Sequence, residues 1–308
     1  MKIIALLFCL FVYAIPPAAA EYFYAADSDV IGALRPYTVK KGESLIEIAR
    51  KFSLGYNEIT GANPDVDPFI PPAGMKVVLP MAWIIPDVPS RSGIVINVPE
   101  MRLYFFLRKG TNLVTTFPIG VGDEGKETPL GEFKIIQKIV NPAWHVPKSI
   151  KEARPELPAV VPPGPDNPLG THALRLSLPS ILIHGTNRPW AVGRRATSGC
   201  LRLYPEDIPR LFLLVEKGEK VMIVNQSVKV GVRENRVFME VHDGENADYL
   251  DEALTALARK NLLGRVDKRK LMRAIKDRSG IPVDITDARS IKERKPIPSS
   301  ASPTLAAL

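Results

Sequence analysis

At 308 residues the chain is long enough for roughly two domains. Its 41 Lys and Arg against 33 Asp and Glu leave a formal charge of +8, which suits contact with an anionic wall polymer or membrane surface but selects neither. Proline, at 29 residues, exceeds the usual share of about 5%, which weighs against a mainly helical protein and for long ordered loops.

The chain opens on Met1-Lys2, an apolar run from Ile3 to Ile15, Pro16-Pro17 and then Ala18, Ala19 and Ala20. A positive start, a short apolar stretch and a small-residue end predict a secretory signal peptide over residues 1–20, cleaved near Ala20. The run falls short of the about 20 apolar residues that a membrane span needs. Cys9 lies inside it, far from its small-residue end, so a lipid-anchored cysteine is not expected there. No later stretch is apolar enough to span, so an exported and soluble mature protein is expected. Export also changes the cysteine arithmetic: of the 2 cysteines only Cys200 outlasts cleavage. A single thiol in an oxidising compartment is exposed to disulfide exchange and oxidation, so its presence needs a reason.

Residues 36–80 read as a small β-α-α-β unit. Tyr37-Thr38-Val39 is extended and Lys41-Gly42-Glu43 turns. Ser44, with Glu47 three residues on, caps a helix in which Leu45, Ile48, Ala49 and Phe52 recur at helical spacing. A second helical piece spans Tyr56 to Thr60, and Lys76 to Leu79 returns as a strand. So small a unit buries little core and suits binding more than catalysis. The stretch Tyr37-Thr38-Val39-Lys40-Lys41-Gly42-Glu43-Ser44-Leu45, with Ile48-Ala49, Asn63-Pro64, Gly74 and Val77-Val78-Leu79-Pro80, resembles a LysM domain. That resemblance implies binding to the N-acetylglucosamine-containing glycan strands of peptidoglycan.

Residues 81–92, interrupted by Pro86 and Pro89, are expected to be a linker. From Gly93 the pattern has period two. Ile94, Ile96 and Val98 alternate, and further strands are predicted over Met101 to Leu107, Leu113 to Ile119 and Gly131 to Ile135, with a turn at Lys109-Gly110. Asn141 to Pro168 carries eight prolines with Trp144 and His145 near its start, and is expected to be a loop bordering the active site. Strand signals resume at His172 to Leu178, Ile181 to His184 and Val221 to Val224, so residues 93–224 read as a mainly β domain. Residues 225–308 form a C-terminal extension, helical over Tyr249 to Leu263 and again from Leu271, ending in a basic tail in which Pro296 to Pro303 is expected to be disordered. From Arg259 to Lys295 thirteen Lys or Arg face five Asp or Glu, which suits a solvated helical face or an anionic surface.

The chemistry concentrates in Ile181-Leu182-Ile183-His184-Gly185-Thr186-Asn187 and Thr197-Ser198-Gly199-Cys200-Leu201-Arg202-Leu203. An imidazole within hydrogen-bond reach can take the proton of a thiol, stabilise the thiolate and later protonate a departing amine. Cys200 is the candidate nucleophile and His184 its base. The backbone N–H groups of Gly199 and Cys200, with Thr197 and Ser198 beside them, are the candidates to face a developing oxyanion. Arg202 offers a planar fork for a substrate carboxylate. Trp144 and Trp190 are candidates to frame a substrate groove or to pack in the core, and His172 to line the cleft or serve an ordinary surface role. A zinc site would need three or four ligands, and His145, His172 and His242 lack a compact ligand pattern, so no metal or cofactor is expected. No nucleotide-binding fingerprint and no nucleic-acid motif is present.

The His-Gly pair followed by S/T-x-G-C-hydrophobic-Arg resembles the catalytic motif of the YkuD-type L,D-transpeptidases. Further matches are Thr128-Pro129-Leu130-Gly131-Glu132-Phe133, Asn141-Pro142-Ala143-Trp144, Asn167-Pro168-Leu169-Gly170 and Tyr204-Pro205-Glu206-Asp207-Ile208. The resemblance implies a YkuD-like β-sandwich in which Cys200 attacks the carbonyl joining meso-diaminopimelate to the terminal D-alanine of a peptidoglycan tetrapeptide stem, with His184 as base and acid. D-Alanine leaves, and an amine resolves the thioester: a second stem's diaminopimelate, or a lysine of a wall-anchored lipoprotein. Water in that role would make a carboxypeptidase, and a non-catalytic wall-binding protein would form no adduct at Cys200. Many members place histidine two residues before the cysteine, where this chain has Ser198, so no proton relay is assigned there. The group that orients the base is commonly a backbone carbonyl, which sequence does not assign to a residue.

Overall fold

The computed structural model describes residues 21–24, 28–107 and 111–292. The expected leader, the Lys109-Gly110 turn and the Pro296 to Pro303 tail lie outside those residues. The N-terminal part contains β1 (Glu21–Phe23), β2 (Val30–Gly32), β3 (Arg35–Thr38), α1 (Leu45–Lys51), α2 (Tyr56–Ala62), β4 (Lys76–Leu79) and β5 (Ala82–Ile84). Antiparallel β3 and β4 close the small unit around the two helices, from Arg35 opposite Leu79 to Thr38 opposite Lys76. Ser44 starts α1 as its sequence predicts: its Oγ accepts from the Glu47 N–H at 3.2 Å, and the Glu47 carboxylate accepts from the Ser44 N–H at 2.8 Å.

The central part comprises β6 (Gly93–Asn97), β7 (Arg102–Leu107), β8 (Leu113–Pro118), β9 (Val121–Gly122), β10 (Gly131–Val140), β11 (Trp144–His145), α3 (Lys148–Ala153), β12 (Val160–Val161), β13 (His172–Leu176), β14 (Leu182–His184), β15 (Arg195–Thr197), β16 (Leu201–Arg202), α4 (Asp207–Leu214) and β17 (Lys220–Val224). The mainly β region forms one mixed nine-stranded sheet, ordered β1-β8-β7-β6-β17-β10-β13-β14-β16, that curls into a half-barrel. Residues alternate between its faces. Ile94, Ile96, Leu103, Phe105 and Phe117 enter a core completed by Ile208 and Leu211 of α4. Val95, Tyr104, Phe106 and Val114 point the other way and share a second core with Leu45, Ile48, Leu54, Ile59, Val77 and Trp83. The N-terminal unit therefore has no separate core: it covers one face of the nine-stranded sheet.

That packing corrects the reading of residues 81–92 as a linker. The stretch contains β5, which pairs with β2, and Trp83, Ile84 and Ile85 are buried. Prolines suggested a break, but the pairing partner lies about fifty residues earlier, beyond the reach of a local pattern. Asn141 to Pro168 is likewise more ordered than a plain loop: β11 pairs with β12, and α3 lies between them.

The C-terminal part is more β-rich than its helical pattern suggested. It contains β18 (Val228–Arg233), β19 (Arg236–Val241), α5 (Tyr249–Arg259), α6 (Lys268–Asp277), β20 (Val283–Asp284) and α7 (Ala288–Lys292). β18 and β19 form a hairpin through Glu234 and Asn235, both at positive φ, 50° and 61°. Two such residues give the turn whose twist matches paired strands. The basic run from Arg259 is compensated in part by acids outside it: Arg259 pairs with Asp87, Lys260 with Asp29 and Arg278 with Asp243, while Arg273 pairs with Asp277 inside the run. Among the described residues no helix is long and apolar enough to cross a membrane.

Candidate active site

β14 and β16 run parallel at one edge of the main sheet, with Ile183 opposite Leu201 and His184 opposite Arg202. Paired residues of parallel strands share a face, and side chains repeat every second residue. That period places Cys200, two residues before Arg202, on the face of His184.

His184 is held from both sides. Its ring Nδ1 lies 2.6 Å from the Gly185 carbonyl oxygen. A carbonyl only accepts, so Nδ1 carries the hydrogen and Nε2 presents a free lone pair. The orienting carbonyl, which sequence left unassigned, is thus that of Gly185. Its residue type follows from space: a Cβ there would sit 2.9 Å from Ile208 Cγ2, and Gly170, at φ +68°, packs its backbone against Gly185 and Thr186. The ring is buried, and burial, reinforced by the charge of Arg202, holds His184 down at about 4 despite the Gly185 hydrogen bond. It is a neutral base at physiological pH.

Cys200 sits in a turn fixed by hydroxyls. Gly199 adopts φ +94°, a conformation open to glycine, and its carbonyl accepts from Thr128 Oγ1 at 3.2 Å. Thr128 Oγ1 in turn accepts from the Gly122 N–H at 3.0 Å. Thr197 Oγ1 donates to the Cys200 carbonyl at 2.7 Å. Both carbonyls of the turn are therefore engaged, while the N–H groups of Gly199 and Cys200 have no acceptor among the described residues. The Cys200 thiol donates to the Ser180 carbonyl at 3.4 Å, and no hydrogen bond joins it to His184 among the described residues. Burial pushes the thiol up, against the lowering effect of a backbone hydrogen bond at Leu182 and of Arg202 and Arg175. The resting pair is a thiol and a neutral imidazole rather than a preformed thiolate and imidazolium.

Arg202 is mostly buried and has no ion-pair partner among the described residues, and its Nε has no hydrogen-bond partner. Burial and the neighbouring Arg188 charge lower its proton affinity. Arg202 beside Cys200, with the Arg188 charge next to it and no paired carboxylate among the described residues, leaves a positive site, since buried charge without a partner is costly unless a ligand supplies one.

The remaining candidates are placed less centrally. Trp190 is 57% exposed within the short turn Pro189–Ala191, and Ser198 is exposed. Trp144 is half-buried on β11 opposite Val161. His172 hydrogen-bonds Thr171 at 2.9 Å and meets the Phe212 ring of α4 edge-on at 4.7 Å, so its ring is engaged with the helix. Thr128 and Asn167 were not singled out for chemistry, although both lie in segments of the family resemblance. Asn167 is buried and donates to the carbonyls of Pro142, Val161 and Pro162, closing the proline-rich segment on itself. Away from the site, Glu100, Glu240 and His242 bring their ligand atoms within 4.8 Å of one another, but Lys229 Nζ lies 2.7 Å from Glu100 and 2.9 Å from Glu240. An ammonium fills that centre.

Residues 91–223 match the family model of the L,D-transpeptidase catalytic domain, and residues 37–80 that of the LysM domain. The chain is 38% identical over 277 residues to "Probable L,D-transpeptidase YcfS" of Escherichia coli K12, covering 84% of this chain and 86% of that protein. It is 36% identical over 274 residues to "Probable L,D-transpeptidase YbiS" of the same strain, covering 83% and 88%. Among solved structures, the catalytic domain of the E. faecium L,D-transpeptidase aligns at 18% identity and a TM-score of 0.35, covering 44% of this chain and 100% of that one.

Proposed function

Because the chain belongs to the YkuD-type L,D-transpeptidases and joins their catalytic domain to a LysM domain, we propose that Cys200 cleaves the meso-diaminopimelate–D-alanine bond of peptidoglycan tetrapeptide stems. The observation that carries this reading is the placement of His184, with Nε2 free, and the uncompensated Arg202 on the face of Cys200.

In this reading Sγ attacks the stem carbonyl carbon as its proton passes to His184 Nε2. A neutral imidazole and a protonated thiol make transfer part of the attack rather than a prior step. The oxyanion is met by the N–H groups of Gly199 and Cys200, which have no other acceptor among the described residues. The carbon–nitrogen bond breaks, the imidazolium gives its proton to the D-alanine amine, and a thioester remains on Cys200. An acceptor amine then attacks that thioester, losing its proton to His184, and Sγ leaves to regain it. Arg202, supported by Arg188, holds a stem-peptide carboxylate; its planar fork suits a bidentate contact. Thr197 supports the turn through its contact with the Cys200 carbonyl rather than facing the oxyanion. Trp190 and Trp144 border the groove, and the LysM unit engages glycan strands in the periplasm.

The test is incubation of the mature protein with tetrapeptide-rich sacculi, followed by mass spectrometry of the muropeptides beside those from Cys200→Ala. New 3-3 crosslinks and released D-alanine with the wild type alone are expected. Equal release by the variant would overturn the assignment. Adding a lysine-terminated lipoprotein to the same reaction reads out the second acceptor, and D-alanine release without any crosslink would identify water.

A further inference from the structure

The LysM unit touches the catalytic domain at the segment between the two reacting residues. Helix α2 begins with N–H groups that no residue within the helix can accept. The Tyr56 N–H donates to the Val192 carbonyl at 3.3 Å and the Asn57 N–H to the Gly193 carbonyl at 3.2 Å. The loop that leads from His184 to Cys200 thus caps a helix of the N-terminal unit.

Glycines permit the approach. Gly193 adopts φ +76°, and a Cβ on it would lie 2.2 Å from the Tyr56 nitrogen and 2.6 Å from the Gly55 carbonyl carbon. A Cβ on Gly55 would in turn lie 2.9 Å from Gly193 Cα. Next to this contact the Arg194 guanidinium stacks 3.5 Å from the Tyr56 ring centroid. From there a continuous backbone ladder runs to the nucleophile. Gly193 N–H donates to Ile119, Val121 N–H to the Arg194 carbonyl, and Gly120 exchanges both backbone hydrogen bonds with Arg202. The Asp123 N–H completes it by donating to the Thr197 carbonyl at 2.9 Å. A second tie reaches the other side of the motif: Tyr204 Oη donates to the Leu54 carbonyl at 3.0 Å, and Arg50 donates through Nε and Nη2 to the two carboxylate oxygens of Glu206.

We infer that the LysM unit is a positioning element of the active site, and that Gly193 and Arg194 are the positioning residues through which α2 sets the place of Cys200. The inference rests on Cys200 being the nucleophile, but not on which acceptor it serves. A docked brace of this kind fixes the near-attack geometry, where a displacement of about 1 Å can cost on the order of a hundredfold in rate.

Gly193→Ala forces a Cβ into α2, and Arg194→Ala removes the stack without inserting an atom. Each variant is assayed for D-alanine release, and for alkylation of Cys200 by iodoacetamide across pH. The expected result is opposite movement. Turnover per active site falls about tenfold or more with KM little changed, while alkylation at neutral pH rises several-fold as the half-buried thiol leaves its contact with the Ser180 carbonyl. Arg194→Lys, which keeps a cation over the Tyr56 ring, restores part of the turnover. If Gly193→Ala fails to fold, the Arg194 pair of variants decides. Normal turnover per active site in folded variants overturns the inference, as does a loss of turnover with an unchanged alkylation profile. Should the wild type release no D-alanine, the acyl-transfer reading fails first, and the alkylation profiles still judge the coupling.

Discussion

Arg102 of the catalytic sheet and Glu58 of helix α2 form an ion pair with both side chains fully buried, Nη2 to Oε2 at 2.7 Å. The same carboxylate accepts from Trp83 Nε1 at 2.8 Å and from the Gly55 N–H at 2.6 Å. Breaking one partner of a buried pair leaves the other charge uncompensated, so Glu58→Ala is expected to cost about 3–5 kcal/mol. Because Glu58 ties both units into one core, calorimetry of the wild type should give a single transition for residues of both. Two separate transitions, with the catalytic one unmoved by Glu58→Ala, would count against a shared core.

The neutral resting pair makes a second prediction. His184 lies below its ordinary value, at about 4, so it stays neutral on titration from pH 8 down to pH 5. A depressed histidine contributes stability that is present above the unfolded value near 6.5 and is lost as pH falls toward 4. Its ring proton shifts in an NMR titration should therefore hold constant between pH 8 and pH 5.5. Alkylation of Cys200 should climb through the alkaline range without a plateau at neutral pH, since burial raises the thiol. A reactive plateau between pH 5 and pH 8 would show a preformed ion pair instead.

Asp207 supplies a third. Neither carboxylate oxygen has a hydrogen-bond partner among the described residues, and Arg210 Nη1 is 3.8 Å away. Burial, added to the charge of Glu206, raises it to about 7. A carboxyl that holds its proton more tightly when folded favours the folded state at low pH, and that advantage fades as pH rises from the unfolded value toward 7. Between pH 4 and pH 8 the Asp207 contribution should thus fall by a few kcal/mol while that of His184 rises over pH 4 to 6.5, so chemical denaturation of Asp207→Asn beside the wild type should show a pH slope displaced upward by the removed loss and a more stable protein at pH 8. An unchanged slope in the variant would place the titration elsewhere.

Thr128 marks the limit of what the sequence discloses. Cys200, His184 and Arg202 were legible because a strand period and a compact motif keep them within twenty residues of one another. The capping box of Ser44 and Glu47, equally local, was legible for the same reason. Thr128 acts on Gly199 from 71 residues away, and Gly193 acts on α2 from more than a hundred, so no local pattern reports either. The Val228–Val241 hairpin did carry a local signal in its alternation, overshadowed by the helical spacing that follows it. The pairing of Arg259 and Lys260 was hidden from the sequence because their acids, Asp87 and Asp29, lie far back in the chain.

Thr128→Val keeps the shape of the side chain and removes the hydroxyl that joins Gly122 to Gly199. A buried group left without its partner costs about 1–3 kcal/mol. Stability should fall by that amount and turnover by about tenfold, with KM little changed, because the turn rather than the groove is loosened. Thr128→Ser, which keeps the hydroxyl, should restore most of the turnover; failure of serine to do so would assign the loss to packing.

Arg202 stands in two relationships at once, and a substitution separates them. It lies opposite His184 in the ladder, where its charge helps hold the imidazole neutral, and its Nε awaits a partner. Arg202→Gln removes the charge and the fork together. It should raise the His184 midpoint from about 4 and weaken binding of a stem carrying a free carboxylate far more than one whose carboxylate is amidated. A lost charge-assisted contact is worth about 1.5–3 kcal/mol, so kcat/KM for the free acid should drop by roughly ten- to a hundredfold. Arg202→Lys keeps the charge and loses the planar fork. The histidine midpoint should then remain low while most of the binding loss persists. Equal loss on free and amidated stems would remove Arg202 from carboxylate recognition and leave it only the electrostatic role toward His184.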